Sequence, residues 1–240
     1  MKFKILIVLA LLSANVLGQD FMEEEVIVTG IRASASELPG VTLKKKGDFL
    51  LLNVKIVNDT RDLEERKSEI YKTIKTAIAL ANKDKSIQIS VAQGNLVLPL
   101  TKSNYEIDLV KGKRQDTSEA QITFKARINE NMSDASSLVV KLKKFVKSVP
   151  VVGRVELIPL SEVNVSVVNP AQYRNEILGL VAEDINFITD KLGQEYKVVL
   201  EGINQPVMWS RAGPLHLSLY IPYSYTVVPE SIKSILPADY

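Results

Sequence analysis

Apolar residues occupy every second position along several short stretches of the chain, which is the pattern of β-strands with one buried face. The clearest case is 50–56, where Leu, Leu, Val and Ile alternate with Leu, Asn and Lys. The same pattern predicts strands at 25–30, 87–91, 96–100, 105–110, 122–128, 163–167, 196–200 and 215–227. The alternation is unbroken in the last stretch, so we expect one long strand there. Residues 31–47 are rich in Ser, Pro, Gly and Lys, which favours a loop.

Three stretches instead repeat apolar residues every three or four positions, as amphipathic helices do. Residues that can cap a helix precede each one: Asp59 or Thr60, then Ser133 or Asp134, then Asn169 with Pro170 at the first helical position. Pro150 ends the second helix and Gly193 ends the third. The expected buried faces are Leu63, Ile70, Ile74, Ala77, Ile78 and Ala81; Leu138, Leu142, Phe145 and Val149; and Tyr173, Ile177, Val181, Ile185, Ile188 and Leu192.

Together these elements predict an α+β fold: a mixed, mainly antiparallel sheet with about three helices packed on one face. A strand-helix-strand unit occurs twice, because the stretch 54–58 leads into the first helix as 124–129 leads into the second. No Pro- or Gly-rich linker divides the chain after residue 47, so 48–240 is expected to be one domain. Residues 19–47 form an N-terminal strand and loop, and the strand 25–30 is expected to join the domain.

The N-terminal residues 1–18 have the organisation of a signal peptide. Lys2 and Lys4 precede an apolar run at 5–12, and compact residues lead to a cleavage site between Gly18 and Gln19. The run is too short to span a bilayer as a permanent helix, and no stop-transfer segment follows it. We therefore expect an exported, periplasmic protein without a transmembrane segment in its mature chain.

The charge of the mature chain argues against nucleic acid as a partner. The full chain has 30 Lys and Arg against 28 Asp and Glu, and removal of residues 1–18 takes away two lysines and no acid. A balanced chain has no overall field that attracts a polyanion. The basic clusters at 44–46 and 111–114 are expected to be solvated loops. Because the chain has no cysteine, disulfides, thiol nucleophiles and Cys-based metal sites are excluded.

The sequence points to no catalytic residue, metal ligand set or cofactor site. The only histidine, His216, is expected on the polar face of the last strand, and one histidine cannot supply a multi-histidine metal site. The adjacent acids Glu64-Glu65 and Glu183-Asp184 leave one alternative open, a carboxylate-based hydrolase of the envelope. That chemistry needs two acids facing each other across a cleft.

The only tryptophan, Trp209, lies in a stretch rich in turn residues, 206–214, close to Arg211. Trp and Arg are enriched at the centres of protein interfaces, so these two residues are the candidate partner contact. The alternative is that the indole folds back and covers the end of the sheet.

The segment Val26-Ile-Val-Thr-Gly30 and the helix end Leu192-Gly193 carry a family resemblance. The chain resembles the SIMPL-domain family of bacterial periplasmic proteins, whose opening strand ends in Val-Thr-Gly or Val-Ser-Gly and whose third helix ends in Leu-Gly. The resemblance covers about 25–228 and rests mainly on the order of elements. It implies an envelope protein of poorly defined role, without catalytic residues, whose relatives tend to form ring- or channel-like oligomers. We therefore expect a non-enzymatic protein that acts through homo-oligomer formation or by binding another envelope protein.

Overall fold

The computed structural model describes residues 38–93, 96–160 and 162–231. The predicted signal peptide 1–18 and the predicted strand 25–30 lie outside the described residues. The helices are α1 (Leu63–Lys83), α2 (Ser136–Ser148) and α3 (Arg174–Leu192). The strands are β1 (Leu43–Lys46), β2 (Phe49–Asn58), β3 (Ile87–Gln93), β4 (Leu96–Pro99), β5 (Val110–Lys111), β6 (Ser118–Arg127), β7 (Glu156–Pro159), β8 (Asn164–Ser166), β9 (Tyr196–Glu201), β10 (Met208–Arg211), β11 (His216–Tyr220) and β12 (Ser224–Pro229).

The fold is α+β with three helices in its described part, as predicted. The described strands pair antiparallel in three sheets, and the expectation of one mixed sheet was wrong in this respect. The largest sheet has the order β4-β3-β6-β2-β7, with β5 beside β6 and β8 beside β2. A second sheet has the order β1-β11-β10, and β9 pairs with β12 in a two-stranded ribbon. The helices divide accordingly: α1 and α2 contact the large sheet, and α3 contacts β9.

The main core lies between the large sheet and the helices α1 and α2. The alternate residues of β2 point into it, from Leu50 to Ile56, and are fully buried. The sequence predicted a half-buried strand, but Leu51 and Asn53 on the other face are buried as well. The Asn53 Oδ1 atom accepts a hydrogen bond from the Thr123 hydroxyl at 2.8 Å, so this buried polar side chain is satisfied.

The helix positions were predicted well, and their starting residues less well. Asp62 caps α1, because its carboxylate accepts a hydrogen bond from the Glu65 N–H at 2.8 Å. The first helical residue, Leu63, is 49% exposed and does not join the buried face. At α2 the Asp134 carboxylate accepts a bond from the Ser136 N–H, and the helix ends before Pro150 as predicted.

The third helix differs most from its prediction. Pro170–Tyr173 form a short 3₁₀ helix before α3, and Asn169 has a positive φ of 45° and makes no capping side-chain bond. Gly193 ends α3 as predicted, with a φ of 85° that glycine adopts without strain. Ile177 and Val181 are the residues of α3 that are fully buried, so the expected apolar face is covered only in its first half. Leu192 is 42% exposed.

Four predictions about strands and loops were wrong. The expected loop at 44–46 is strand β1, which pairs with β11, and the expected loop around Trp209 contains β10 on the other side of β11. The long closing strand is divided at Pro222 into β11 and β12, which belong to different sheets. The expected strand at 105–110 is reduced to β5. Strand β1 depends on a partner far away in the chain, whereas β10 and β5 pair with strands that follow them closely.

None of the helices in the described ranges is long and apolar enough to span a membrane.

Candidate functional site

A cleft of about 900 Å³ opens where β2 begins, and it is lined by three segments of the chain and by Arg127. Asp48 and Phe49 lie at the start of β2, beside Arg127 at the end of β6. The second segment is 168–174, which contains the 3₁₀ helix, and the third is 206–209, which leads into β10. The cleft therefore lies where the large sheet, the start of α3 and the second sheet meet.

Asp48 anchors the floor of the cleft. Its Oδ2 atom accepts a hydrogen bond from the Val168 N–H at 2.6 Å, and its own N–H donates to the Ser166 carbonyl at 2.8 Å. The Ile128 N–H donates to the Asp48 carbonyl at 2.8 Å. The preceding residue must be small, since a Cβ atom at Gly47 would lie 2.2 Å from Val165 Cγ1. Three distant segments are thus held at one turn.

Arg174 closes the opposite side of the cleft. Its guanidinium donates to the Gln205 carbonyl at 2.6 Å and to the Ile203 carbonyl, which fastens the start of α3 to the loop before β10. The neighbouring Gln172 side-chain amide donates to the Val168 carbonyl at 2.9 Å. These groups are occupied by the protein itself, so Arg174 acts here as a structural clamp.

Aromatic side chains and one guanidinium form the wall of the cleft. Phe49 is buried, and the guanidinium carbon of exposed Arg127 lies 5.3 Å from its ring centroid. Tyr173 and Trp209 are half-buried and line the same cleft. Within the described ranges Arg127 forms no ion pair, and its contact is with the Phe49 ring. The wall therefore combines apolar surface with a positive charge that a partner can use.

The surroundings of the cleft shift the pKa of Tyr173. Burial raises the pKa of the Tyr173 hydroxyl, and the nearby Asp48 carboxylate raises it further. Lys45 opposes this effect, because its ammonium lies 5.3 Å from the Tyr173 ring centroid. Lys45 also pairs with Glu176 at 3.0 Å. Tyr173 therefore keeps its proton at neutral pH and presents an uncharged ring to the cleft.

Of the two residues of the predicted partner contact, Trp209 lines the cleft and Arg211 does not. Trp209 lies on β10 opposite Leu219, where it packs partly against the core and lines the cleft. Arg211 lies two residues further along β10 and is exposed, but it does not line the cleft. Its guanidinium donates to the Val163 carbonyl at 3.0 Å and to the Gly213 carbonyl at 3.1 Å. Trp209 thus partly covers the core, as one alternative expected, and also has a surface in the cleft that a partner can reach.

The other residues named from the sequence lie away from the cleft. Glu64 and Glu65 are exposed in the first turn of α1, whereas Glu183 and Asp184 lie on α3. His216 is half-buried in β11, opposite Lys46. In the part of the chain that the structure describes, no group of three His, Asp or Glu residues could hold a metal ion.

A second polar cluster, which the sequence did not predict, joins β2 to α1. Glu69 Oε2 accepts hydrogen bonds from the Asn58 amide and the Thr60 hydroxyl, each at 2.7 Å. These two bonds, the Thr60 bond first, hold the pKa of the Glu69 carboxyl below its usual value. The buried Arg66 guanidinium donates to the Ser118 hydroxyl at 3.0 Å and to the Thr60 carbonyl at 2.6 Å. All these groups satisfy one another, so the cluster stabilises the fold and offers little to a ligand.

Phe49, Arg127 and Tyr173 were not found from the sequence, although they build the cleft with Trp209. Little in the sequence distinguishes these three residues from others, since each one lies at the end of a predicted element. The chain matches no known family model, and no curated protein is significantly similar to it. The resemblance to the SIMPL-domain family therefore stays a prediction.

Proposed function

We propose that this protein is exported to the cell envelope and acts there without catalysis, by binding a partner in the cleft beside Trp209. The observation that carries the proposal is the wall formed by Phe49, Tyr173 and Trp209 with the guanidinium of Arg127. Aromatic residues and arginine dominate the energetics of protein interfaces, because they bury large areas at low entropic cost and bind anions. The matching partner presents an apolar side chain next to a carboxylate or another anionic group.

One sequence feature supports the envelope as the place of action, which is the organisation of residues 1–18 as a signal peptide. The alternative, a carboxylate-based hydrolase, gains no support from the acid pairs at 64–65 and 183–184, because neither pair lines the cleft.

The binding proposal can be tested with Trp209, the single tryptophan of the chain. The tagged protein is cross-linked in its own envelope, and the recovered partner is then titrated into the purified protein while indole fluorescence is recorded. Arg127→Gln removes the free positive charge of the cleft, and Arg114→Gln removes an exposed charge elsewhere. We expect saturable fluorescence change with the original protein and with R114Q, and binding at least about tenfold weaker with R127Q.

Two results would overturn the proposal. Equal binding by R127Q and R114Q would show that the cleft does not hold the partner. Export is tested separately, by determining the N-terminal residue of the protein isolated from envelope and cytoplasmic fractions. We expect Gln19 as the first residue in the envelope fraction, and an intact Met1 with the protein confined to the cytoplasm would refute export.

A further inference from the structure

The two-stranded ribbon of β9 and β12 has an exposed edge along β12. Ser224, Tyr225, Thr226 and Val227 are exposed in succession, with Tyr225 at 45% and Val227 at 36%. Among the described residues, β12 pairs with β9 on one side and with no strand on the other. A ribbon of only two strands is marginally stable by itself, and an open edge is a template for a further strand.

The backbone direction of β12 follows from one hydrogen bond. The Glu230 N–H donates to the Glu195 carbonyl at 2.7 Å, so residue 230 points its backbone groups toward β9. In an antiparallel pair these groups alternate, and the N–H and C=O of Tyr225 and Val227 therefore point outward. Pro229 falls on the same outward set, where its missing N–H costs the ribbon no hydrogen bond.

These outward groups are arranged symmetrically about Thr226. If a second β12 lies antiparallel with a two-fold axis at this residue, Tyr225 of each copy faces Val227 of the other. Both residues have outward N–H and C=O groups, so each of the two pairs closes two hydrogen bonds. Each pair also joins an aromatic and a β-branched side chain, a favourable cross-strand combination. A two-fold axis at Val227 would instead place Tyr225 opposite Pro229. Because proline has no N–H, the pairing would then lose hydrogen bonds.

The charges of the edge strands also favour a second copy of this chain as the partner of β12. β12 has no charged residue in Ser224–Pro229, so two copies meet without repulsion. The other edge strands of the two smaller sheets each carry charge: three lysines in β1, Arg211 in β10, and Lys197 with Glu201 in β9. Charged side chains are a common protection of edges against pairing, and β12 lacks it.

We propose that β12 is a self-association surface, through which two copies of this chain join their ribbons into a continuous four-stranded sheet, β9-β12-β12-β9. This inference deepens the self-association expected from the sequence, but it does not depend on the cleft at Trp209. A standard protein interface buries about 800 Å² per partner, and six edge residues alone supply less. We therefore expect a weak dimer whose population rises with concentration.

The test uses the complete protein as its host produces it, measured by sedimentation velocity over a range of concentrations. Thr226→Lys places two ammonium groups opposite each other at the axis, and Thr226→Glu does the same with carboxylates. Like charges directly opposite destabilise a strand pair, so we expect each variant to dimerise at least about tenfold more weakly. Thr226→Gln is the neutral control and should stay within a few-fold of the original protein. A mixture of T226K with T226E should dimerise again.

Restoration in the mixture distinguishes pairing at Thr226 from simple misfolding, because only paired strands bring the two charges together. A protein that stays monomeric at its highest soluble concentration would overturn the proposal. So would a dimer that T226K does not weaken, or one whose loss is not reversed by mixing. None of these results bears on R127Q, so the failure of one proposal is separable from the failure of the other.

Discussion

The contribution of Glu69 to stability is expected to depend on pH. In the folded protein its Oε2 atom accepts one bond from the Asn58 amide and one from the Thr60 hydroxyl, each at 2.7 Å. A bond to a charged acceptor contributes about 1.5–3 kcal/mol and a bond between neutral groups about 0.5–1.5 kcal/mol. Replacing the carboxylate by an amide in Glu69→Gln weakens two such bonds. We therefore expect the free energy of unfolding to fall by about 2 kcal/mol at neutral pH.

The direction of the pH dependence follows from the lowered pKa of Glu69. Its usual value is 4.5, and the hydrogen bonds from Thr60 and Asn58 hold the folded value below this. The stabilisation is therefore complete above the unfolded pKa and is lost as the pH falls through the folded pKa. At a pH where the carboxyl is protonated in both states, the original protein and E69Q should differ little.

Urea unfolding at neutral and acidic pH measures this difference directly. Glu65→Gln is the matched control, because Glu65 is exposed on the same helix. We expect E65Q to stay close to the original protein at both pH values. If E69Q loses no more stability than E65Q at neutral pH, or if its loss is the same under acidic conditions, the assigned role of Glu69 is refuted.

Two further substitutions test the packing of the fold and of the cleft. Leu142→Ala removes a fully buried side chain of α2 and should lower the free energy of unfolding by about 2–5 kcal/mol. Its control is Val140→Ala, at a 49% exposed position of the same helix, which should change the free energy of unfolding by less than about 0.5 kcal/mol. Gly47→Ala brings a Cβ atom within 2.2 Å of Val165 Cγ1 and 2.8 Å of the Ser166 carbonyl oxygen, so we expect a loss of about 1–3 kcal/mol and a shifted Trp209 emission. Unchanged urea midpoints for L142A or G47A would contradict the respective contact.

The helices show what local pattern can predict. Their apolar residues recur at the helical period. Pro150 ends α2 by keeping Val149 extended, and Gly193 ends α3 with its own positive φ. These effects act within one or two turns, so the sequence contains them completely. The N-terminal caps were predicted less accurately, because several Asp, Thr and Asn residues precede each helix and tertiary contacts choose among them. Asn58 and Thr60 bind Glu69, and Asp62 is left to cap α1.

The strands that were not predicted show what local pattern cannot predict. The lysine-rich β1 has no pattern of its own, and it becomes a strand because β11 offers its edge to Leu43–Lys46. Trp209 is placed in β10 by the other edge of the same strand. The apolar alternation continues past Pro222, but at this residue the chain leaves one sheet for another. In β1, pairing with a strand far away in the chain overrides local propensity.

By itself, the sequence determined the α+β class, the three helices and most of the core strands, since burial of apolar side chains imposes a period on the chain. Only the tertiary structure decided how the strands divide into three sheets and where the cleft lies. The bond from the Val168 N–H to Asp48 and the contact of Arg127 with Phe49 join residues that are far apart in the chain. No local period records such contacts, because they depend on which segments meet after the core has formed.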